Sequence, residues 1–354
     1  MLRAIATAPS FSDKRQPASQ TDAGTLTDST MSPAPTFYTL SDAGFFPGTV
    51  ALLNSLRLTN NSGELVVLDN GLTGEQRRRL EGDTRVVDLP DAFDRQPWQP
   101  KPKPFPLHVG ATGVVVLIDS DMIVTASLEA VIGLAQEGRI CLFPDHEGDW
   151  GRWFPGWERW LSLASPLRRQ IYLNSGFVAF STDRWPWLLQ RYWDALGSIP
   201  PEFFTKTRDS PFRDRDQDVL NAILMSEVEP DDVAVLPYKG EAYPDAENVV
   251  IEDESRLACT HDDEQLLIAH HSLGPKVWAA DGWKRMATGH PYVRLFPRVV
   301  FGDDVTIRLT KQDVPWWLWP HPRYRTVMHG YFLARRMARP AVHRIRRFRS
   351  AADD

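Results

Sequence analysis

Cysteine is nearly absent: Cys141 and Cys259 are the only two in 354 residues. That excludes a disulfide framework and a Cys-rich zinc cluster, and a reducing, cytoplasmic setting fits best. Long apolar runs are missing too. The longest clean run, Val114 to Ile118, is far short of the roughly 20 residues that a membrane-spanning helix needs. Near the start, Ala4-Ile5-Ala6 is too short for a signal-peptide core, and Pro9, Ser10 and Ser12 interrupt the stretch after it, so Sec export is not expected. With 22 Gly and 28 Pro the chain is outside the collagenous and low-complexity classes. At 42% hydrophobic and 24% charged residues it has the composition of a folded globular protein, long enough for one large α/β domain.

Lysine is scarce, with 8 against 32 arginines, and the charge is unevenly placed. Nine arginines and no acid fall between Arg323 and Arg349, which leaves 31 basic against 46 acidic groups in the rest of the chain. An acidic body is a poor nucleic-acid surface, so no nucleic-acid partner is expected; a basic extension instead suits an anionic membrane surface. The segment begins with Trp316-Trp317-Leu318-Trp319, aromatic residues of the kind favoured at headgroup level.

Residues 1–35 are rich in Ser, Thr, Ala, Pro and Asp without apolar periodicity, and are expected to be a disordered leader, with Met31 an alternative start. From Phe37 short apolar strands alternate with helical stretches, the pattern of βαβ units and a mainly parallel sheet. Strands are expected at 65–68, 85–88, 113–118, 139–143, 171–180, 233–236 and 266–270. Helices are expected at 184–196 and 216–226. Thr73 with Gln76 resembles a capping box and Gly82 a helix end, giving a short helix over 74–81. Val50, Leu53 and Leu56 supply the buried stripe of the helix before it. The expected division is a leader 1–35, a catalytic domain 36–312 and a helical Arg-rich tail 313–354.

The uninterrupted Val114–Ile118 run reads as a central strand covered on both faces. It ends in Asp119-Ser120-Asp121, whose two carboxylates, two residues apart, lie on one side and can share a cation. In open α/β sheets ligands gather beyond the carboxyl ends of strands, and hard oxygen donors there suit Mg²⁺ or Mn²⁺ bound together with phosphates. Solvated turn acids are the alternative reading of the pair.

The wider pattern adds to it. In order come Phe37-Tyr38-Thr39-Leu40-Ser41-Asp42, Asn54-Ser55-Leu56, Val67-Leu68-Asp69, Leu117-Ile118-Asp119-Ser120-Asp121, Asn174-Ser175-Gly176-Phe177, Asp216-Gln217-Asp218-Val219-Leu220-Asn221 and His271-Ser272-Leu273-Gly274-Pro275-Lys276. Over roughly residues 36–285 this ensemble resembles the family 8 glycosyltransferases, retaining enzymes of the GT-A fold, most closely the bacterial lipopolysaccharide galactosyl- and glucosyltransferases and glycogenin. Two departures stand out. One residue fewer separates Gly274 from Lys276, with Val277 in place of the proline before Trp278. Lys101-Pro102-Lys103-Pro104 replaces the Arg-bearing helix ahead of the central strand.

The resemblance implies a GT-A architecture, a Rossmann-like mixed sheet flanked by helices, and a retaining, metal-dependent transfer of a hexose from a nucleotide sugar, a UDP-sugar, to a glycan, lipid-linked or small-molecule acceptor. It assigns Asp119, Asp121 and His271 to the metal, with His270 second to His271; one imidazole among oxygens favours Mn²⁺ over Mg²⁺. Lys276 and Gly274 would meet the phosphates. Thr39 and Asp42 would contact base and ribose, with Asp69 or Asp88 as helpers, and Asn174 the donor sugar. Asp216 would hold sugar hydroxyls, Gln217 would lie by the anomeric carbon, and Asp218 is the acid discussed as a nucleophile; double displacement and front-face attack both stay open. Trp150, Trp153, Trp157 and Trp160 read either as an acceptor cleft or as core. Asp145-His146-Glu147 reads as a second metal group or a solvated loop. The competing function is a non-catalytic sugar-nucleotide or glycan binder of the same fold. A nucleotidyltransferase is disfavoured because Asp42-Ala43-Gly44 is no glycine-rich phosphate loop.

Overall fold

The computed structural model describes residues 34–89, 110–146, 152–203, 210–243, 246–272, 274–284, 290–319 and 330. The Lys101–Pro104 segment, Trp150, nearly all of the leader and the tail arginines lie outside them. The elements run β1 (Thr36–Ser41), α1 (Phe46–Leu58), β2 (Glu64–Asp69), α2 (Gly74–Glu81), β3 (Arg85–Asp88), β4 (Val114–Ile118), β5 (Met122–Val124), α3 (Glu129–Gln136), β6 (Ile140–Pro144) and α4 (Trp157–Leu161). They continue with β7 (Leu173–Ser181), α5 (Leu188–Ser198), α6 (Asp216–Glu227), β8 (Val233–Val235), β9 (Glu241–Ala242), β10 (Val249–Asp253), β11 (Ala258–His261), β12 (Glu264–Gln265), β13 (Ile268–His270) and α7 (Pro291–Phe301).

The main sheet has seven strands in the order β3-β2-β1-β4-β7-β6-β8. Strands β3, β2, β1 and β4 are mutually parallel, β7 runs against both β4 and β6, and β8 is parallel to β6. This is the mainly parallel mixed sheet that the βαβ pattern predicts. Apolar side chains alternate between two cores, one on each face: Phe37, Val67 and Val116 face one, while Tyr38, Val66 and Leu117 face the other. All five residues of β4 are buried, as an uninterrupted apolar strand requires, and each such side chain contributes roughly 1.5–3 kcal/mol.

Local chemistry accounts for the elements. The Thr73 hydroxyl accepts from Gln76 N and the Gln76 amide oxygen from Thr73 N, so the capping box starts α2 as the sequence predicts. Helix α1 departs from its expected single stripe: every residue from Phe46 to Leu56 is buried, because α7 and the chain after it cover the outer face. The polar residue this buries is satisfied, since Asn54 Nδ2 donates to the carbonyls of Val299 and Ile307. The aromatic run near the expected tail divides in the same way. Trp317 and Leu318 belong to the core and Asp313 pairs with Arg79 at 2.8 Å, whereas Trp316 is 67% exposed.

Two small sheets complete the frame: the antiparallel β10-β11-β12, and β5-β13-β9, in which β13 runs antiparallel to β5 and parallel to β9. The second hangs directly from the end of β4.

Candidate active site

The chain leaves β1 for β2 on one side and returns as β4 on the other, so the strand order reverses between β1 and β4. Ligands of open α/β sheets gather at such a point, beyond the strands' carboxyl ends. A cleft opens there, lined by Thr39, Asp42, Asn70, Asp119, Ser120 and Ser175 among others. The Thr39 hydroxyl is buried in this region with no hydrogen-bond partner among the described residues. Asp42 both lines the cleft and shapes it: its Oδ1 accepts from Gly44 N at 2.8 Å and Phe45 N at 2.9 Å. The two expected helpers serve the scaffold. Asp69 accepts from Gly71 N, Leu72 N and Arg77, and Asp88 also pairs with Arg77.

At the lip of the cleft, side-chain ligand atoms of Asp119, Asp121 and His270 all lie within 4.8 Å of one another. Backbone pairing puts them there. Asp119 N donates to the Gly176 carbonyl at 2.8 Å, His270 pairs with Met122 across β13 and β5, and His271 N donates to the Asp121 carbonyl at 2.9 Å. His270 Nε2 stands 3.6 Å from Asp121 Oδ1. Burial alone would lower the His270 pKa, but the Asp121 and Glu241 carboxylates outweigh it and lift the ring to about 9. Successive side chains at a strand end face opposite ways, and the His271 ring packs edge-on against Tyr292 at 5.2 Å, outside the group. The motif spacing points to His271; the strand pairing brings His270 to the carboxylates. Among the described residues no other set of three His, Cys, Asp or Glu is gathered so closely, and His146 pairs with Asp145 at 3.1 Å.

Lys276 Nζ lies 2.5 Å from Asp121 Oδ2 and donates to the His271 carbonyl. Its segment is anchored by Trp278, whose Nε1 donates to the Gly44 carbonyl at 2.7 Å while the ring stacks on Phe296. Val277, just before Trp278, is fully buried. Gly274 faces open space, with nothing within 4 Å of where a Cβ would stand.

On the far side, α6 starts after Arg215, a non-glycine residue at φ 51°. Ser175 links this start to the cleft: its N–H donates to Gln217 Oε1 at 3.1 Å and its hydroxyl to Asp216 Oδ2 at 3.2 Å. Asp218 lies beneath them, 0% exposed. Its Oδ1 accepts from Arg152 Nε at 2.6 Å and Tyr172 OH at 2.9 Å, and its Oδ2 from Asp214 N at 2.8 Å. Burial pushes its carboxyl up to about 7, with Arg152 opposing. Both oxygens are engaged, so the geometry fits support of the α6 start, not attack on a substrate. Asn174 Oδ1 accepts from Gly176 N at 2.6 Å and its Nδ2 reaches Asp145 at 3.3 Å. Of the tryptophans, Trp157 is core, donating to the Pro211 carbonyl, and Trp153 is 40% exposed beside Arg152. Arg152 and Glu241 are site neighbours that motif spacing does not single out; a sequence separation of 66 between Arg152 and Asp218, and of 29 between Glu241 and His270, hides them.

No protein-family model matches the chain, and no curated protein matches it in sequence. Solved structures do. The galactosyltransferase LgtC in complex with donor and acceptor sugar analogues aligns with a TM-score of 0.44 at 14% identity, over 74% of this chain and 95% of that one. The bifunctional glycosyltransferase WbbM aligns at 0.45 and 15%, over 78% and 53%. The glycosyltransferase GlyE of Streptococcus pneumoniae TIGR4 aligns at 0.45 and 13%, over 75% and 63%.

Proposed function

We propose that this protein is a glycosyltransferase that moves a hexose from a nucleotide sugar, a UDP-hexose, to a glycan or lipid-linked acceptor with retention. The observation that carries the reading is the convergence of Asp119, Asp121 and His270 at the lip of a cleft that sits on the strand-order reversal. Two carboxylates and one imidazole are a donor set that fits Mn²⁺, with Mg²⁺ second. When bound, such an ion neutralises charge developing on a departing diphosphate.

The remaining roles fall to the chain's own groups. Thr39, whose buried hydroxyl has no partner among the described residues, and Asp42 receive the nucleoside. Lys276, already on the carboxylate group, supplies a second positive charge for the phosphates, and Gly274 leaves them room. Asp216 and Asn174 hold the donor sugar, and Gln217 lies by the anomeric carbon. Asp218 keeps Asp216 and Gln217 in place through Arg152, Tyr172 and the Asp214 N–H. The arginines after Pro322 hold the enzyme at an anionic cytoplasmic leaflet, next to a lipid-linked acceptor.

The test is release of UDP from a panel of UDP-hexoses with Mn²⁺, with and without acceptor glycans, alongside anomeric assignment of the product by NMR. Release that depends on Mn²⁺ and gives a product of unchanged anomeric configuration is expected. Tight UDP binding with no release from any donor would instead favour the non-catalytic binder.

A further inference from the structure

Glu241 is a charged residue without contact to water: it is 0% exposed, in the two-residue strand β9. A buried carboxylate is costly unless every lone pair is engaged, so its partners indicate why it is there. Its Oε1 lies 2.6 Å from His270 Nδ1, and its Oε2 accepts from the Tyr243 hydroxyl at 2.7 Å. That hydroxyl also stands 3.0 Å from the Pro144 carbonyl at the end of β6, so the strut is braced against the main sheet. The parallel register of β9 on β13 sets Glu241 opposite Ile268, two residues before His270 and on the same face. Strand β7 also passes close to the ring: a Cβ at Gly176 would stand 3.0 Å from His270 Cε1, tighter than an ordinary van der Waals contact.

We propose that Glu241 is a positioning residue for the cation group: by accepting a hydrogen bond from Nδ1–H of His270 it makes Nε2 the ring's lone-pair donor once a cation takes the place of the Nε2 proton, and holds it toward Asp119 and Asp121. The inference rests on the glycosyltransferase reading only in that a divalent cation is bound there. A carboxylate behind a ligating imidazole fixes both tautomer and ring orientation, and its loss costs about 10–100-fold in metal affinity. An alternative exists within the same geometry: Glu241 and His270 could simply pin β9 to β13. A pin of that kind would show in stability and not in cation binding.

The experiment is titration of the full chain with Mn²⁺, with and without UDP, followed by the electron paramagnetic resonance of free Mn²⁺ and by spin-echo modulation from coordinated ¹⁴N. Wild type is expected to show imidazole nitrogen coupling that His270→Ala removes and His271→Ala retains. Glu241→Gln is expected to raise the Kd for Mn²⁺ about 10–100-fold and to alter the nitrogen coupling. Tyr243→Phe, which removes no charge, keeps the test open if Glu241→Gln fails to fold; a Kd raised in the same direction by a smaller factor is expected. Loss of Mn²⁺ binding in His270→Ala together with wild-type Kd and coupling in Glu241→Gln, or in Tyr243→Phe where the former does not fold, overturns the positioning role and leaves the metal-dependent reading intact. Retained coupling in His270→Ala overturns the role as well. No Mn²⁺ binding by wild type, with or without UDP, removes both.

Discussion

Asp121 is the residue on which most of the site's charge converges, with His270 Nε2 at 3.6 Å and Lys276 Nζ at 2.5 Å. Asp121→Ala is expected to abolish Mn²⁺-dependent UDP binding in calorimetry; an unchanged dissociation constant would count against the metal assignment. Gln217 and Asp218 test chemistry apart from binding. Gln217→Ala is expected to lower kcat with little change in UDP affinity, since its amide meets Ser175 and not the carboxylate group. Asp218→Asn is expected to lower kcat, because the amide nitrogen cannot accept the hydrogen bonds that the carboxylate oxygen it replaces accepts from Arg152 and Tyr172 or from Asp214 N. The pH dependence has a definite sign. Burial lifts the folded-state carboxyl from 3.8 to about 7, so the stability tied to it is complete below 3.8 and is lost as pH rises through about 7. The melting temperature of Asp218→Asn should therefore vary less between pH 5 and 8 than that of wild type, and equal slopes would show that Asp218 does not titrate there.

At the scale of elements, the site depends on how closely α1 approaches the turn after β4. A Cβ on Gly48 would fall 2.5 Å from the Ser120 carbonyl and 2.6 Å from the Trp278 ring. Alanine is the better helix former by about 1 kcal/mol, so in an isolated helix Gly48→Ala would stabilise. Here the contact is with backbone, which cannot swing aside, and overpacking of that kind costs about 1–3 kcal/mol. Gly48→Ala is thus expected to lower the melting temperature and weaken UDP binding together, through displacement of Asp119 and Asp121. Higher stability with unaltered UDP affinity would show that the turn is not held by this contact.

Across the whole molecule, the charge asymmetry and the core boundary combine. Val314, Trp317 and Leu318 are core, so the aromatic run that opens the basic segment is mostly spent on the fold, with Trp316 left exposed. Attachment to an anionic membrane, as proposed, draws on the nine arginines, each worth on the order of 1 kcal/mol there. Sedimentation with phosphatidylglycerol vesicles is expected to show binding that salt weakens and truncation after Pro322 removes; equal binding to neutral vesicles, or none, would refute the attachment.

The βαβ order, the capped helix α2, the buried central strand and the carboxylate pair after it were all legible in the sequence, because each rests on neighbours a few residues apart: apolar periodicity, a capping box, a strand end. Strand pairing decided the rest. Which of His270 and His271 turns toward the carboxylates depends on the register of β13 on β5, and one residue along a strand reverses a side chain's direction. Whether Asp218 attacks or supports depends on Arg152 and Tyr172, which reach it only once β7 and α6 pack together. The sequence determines which groups are available; burial and register, set by residues far away along the chain, determine which of them face the cleft.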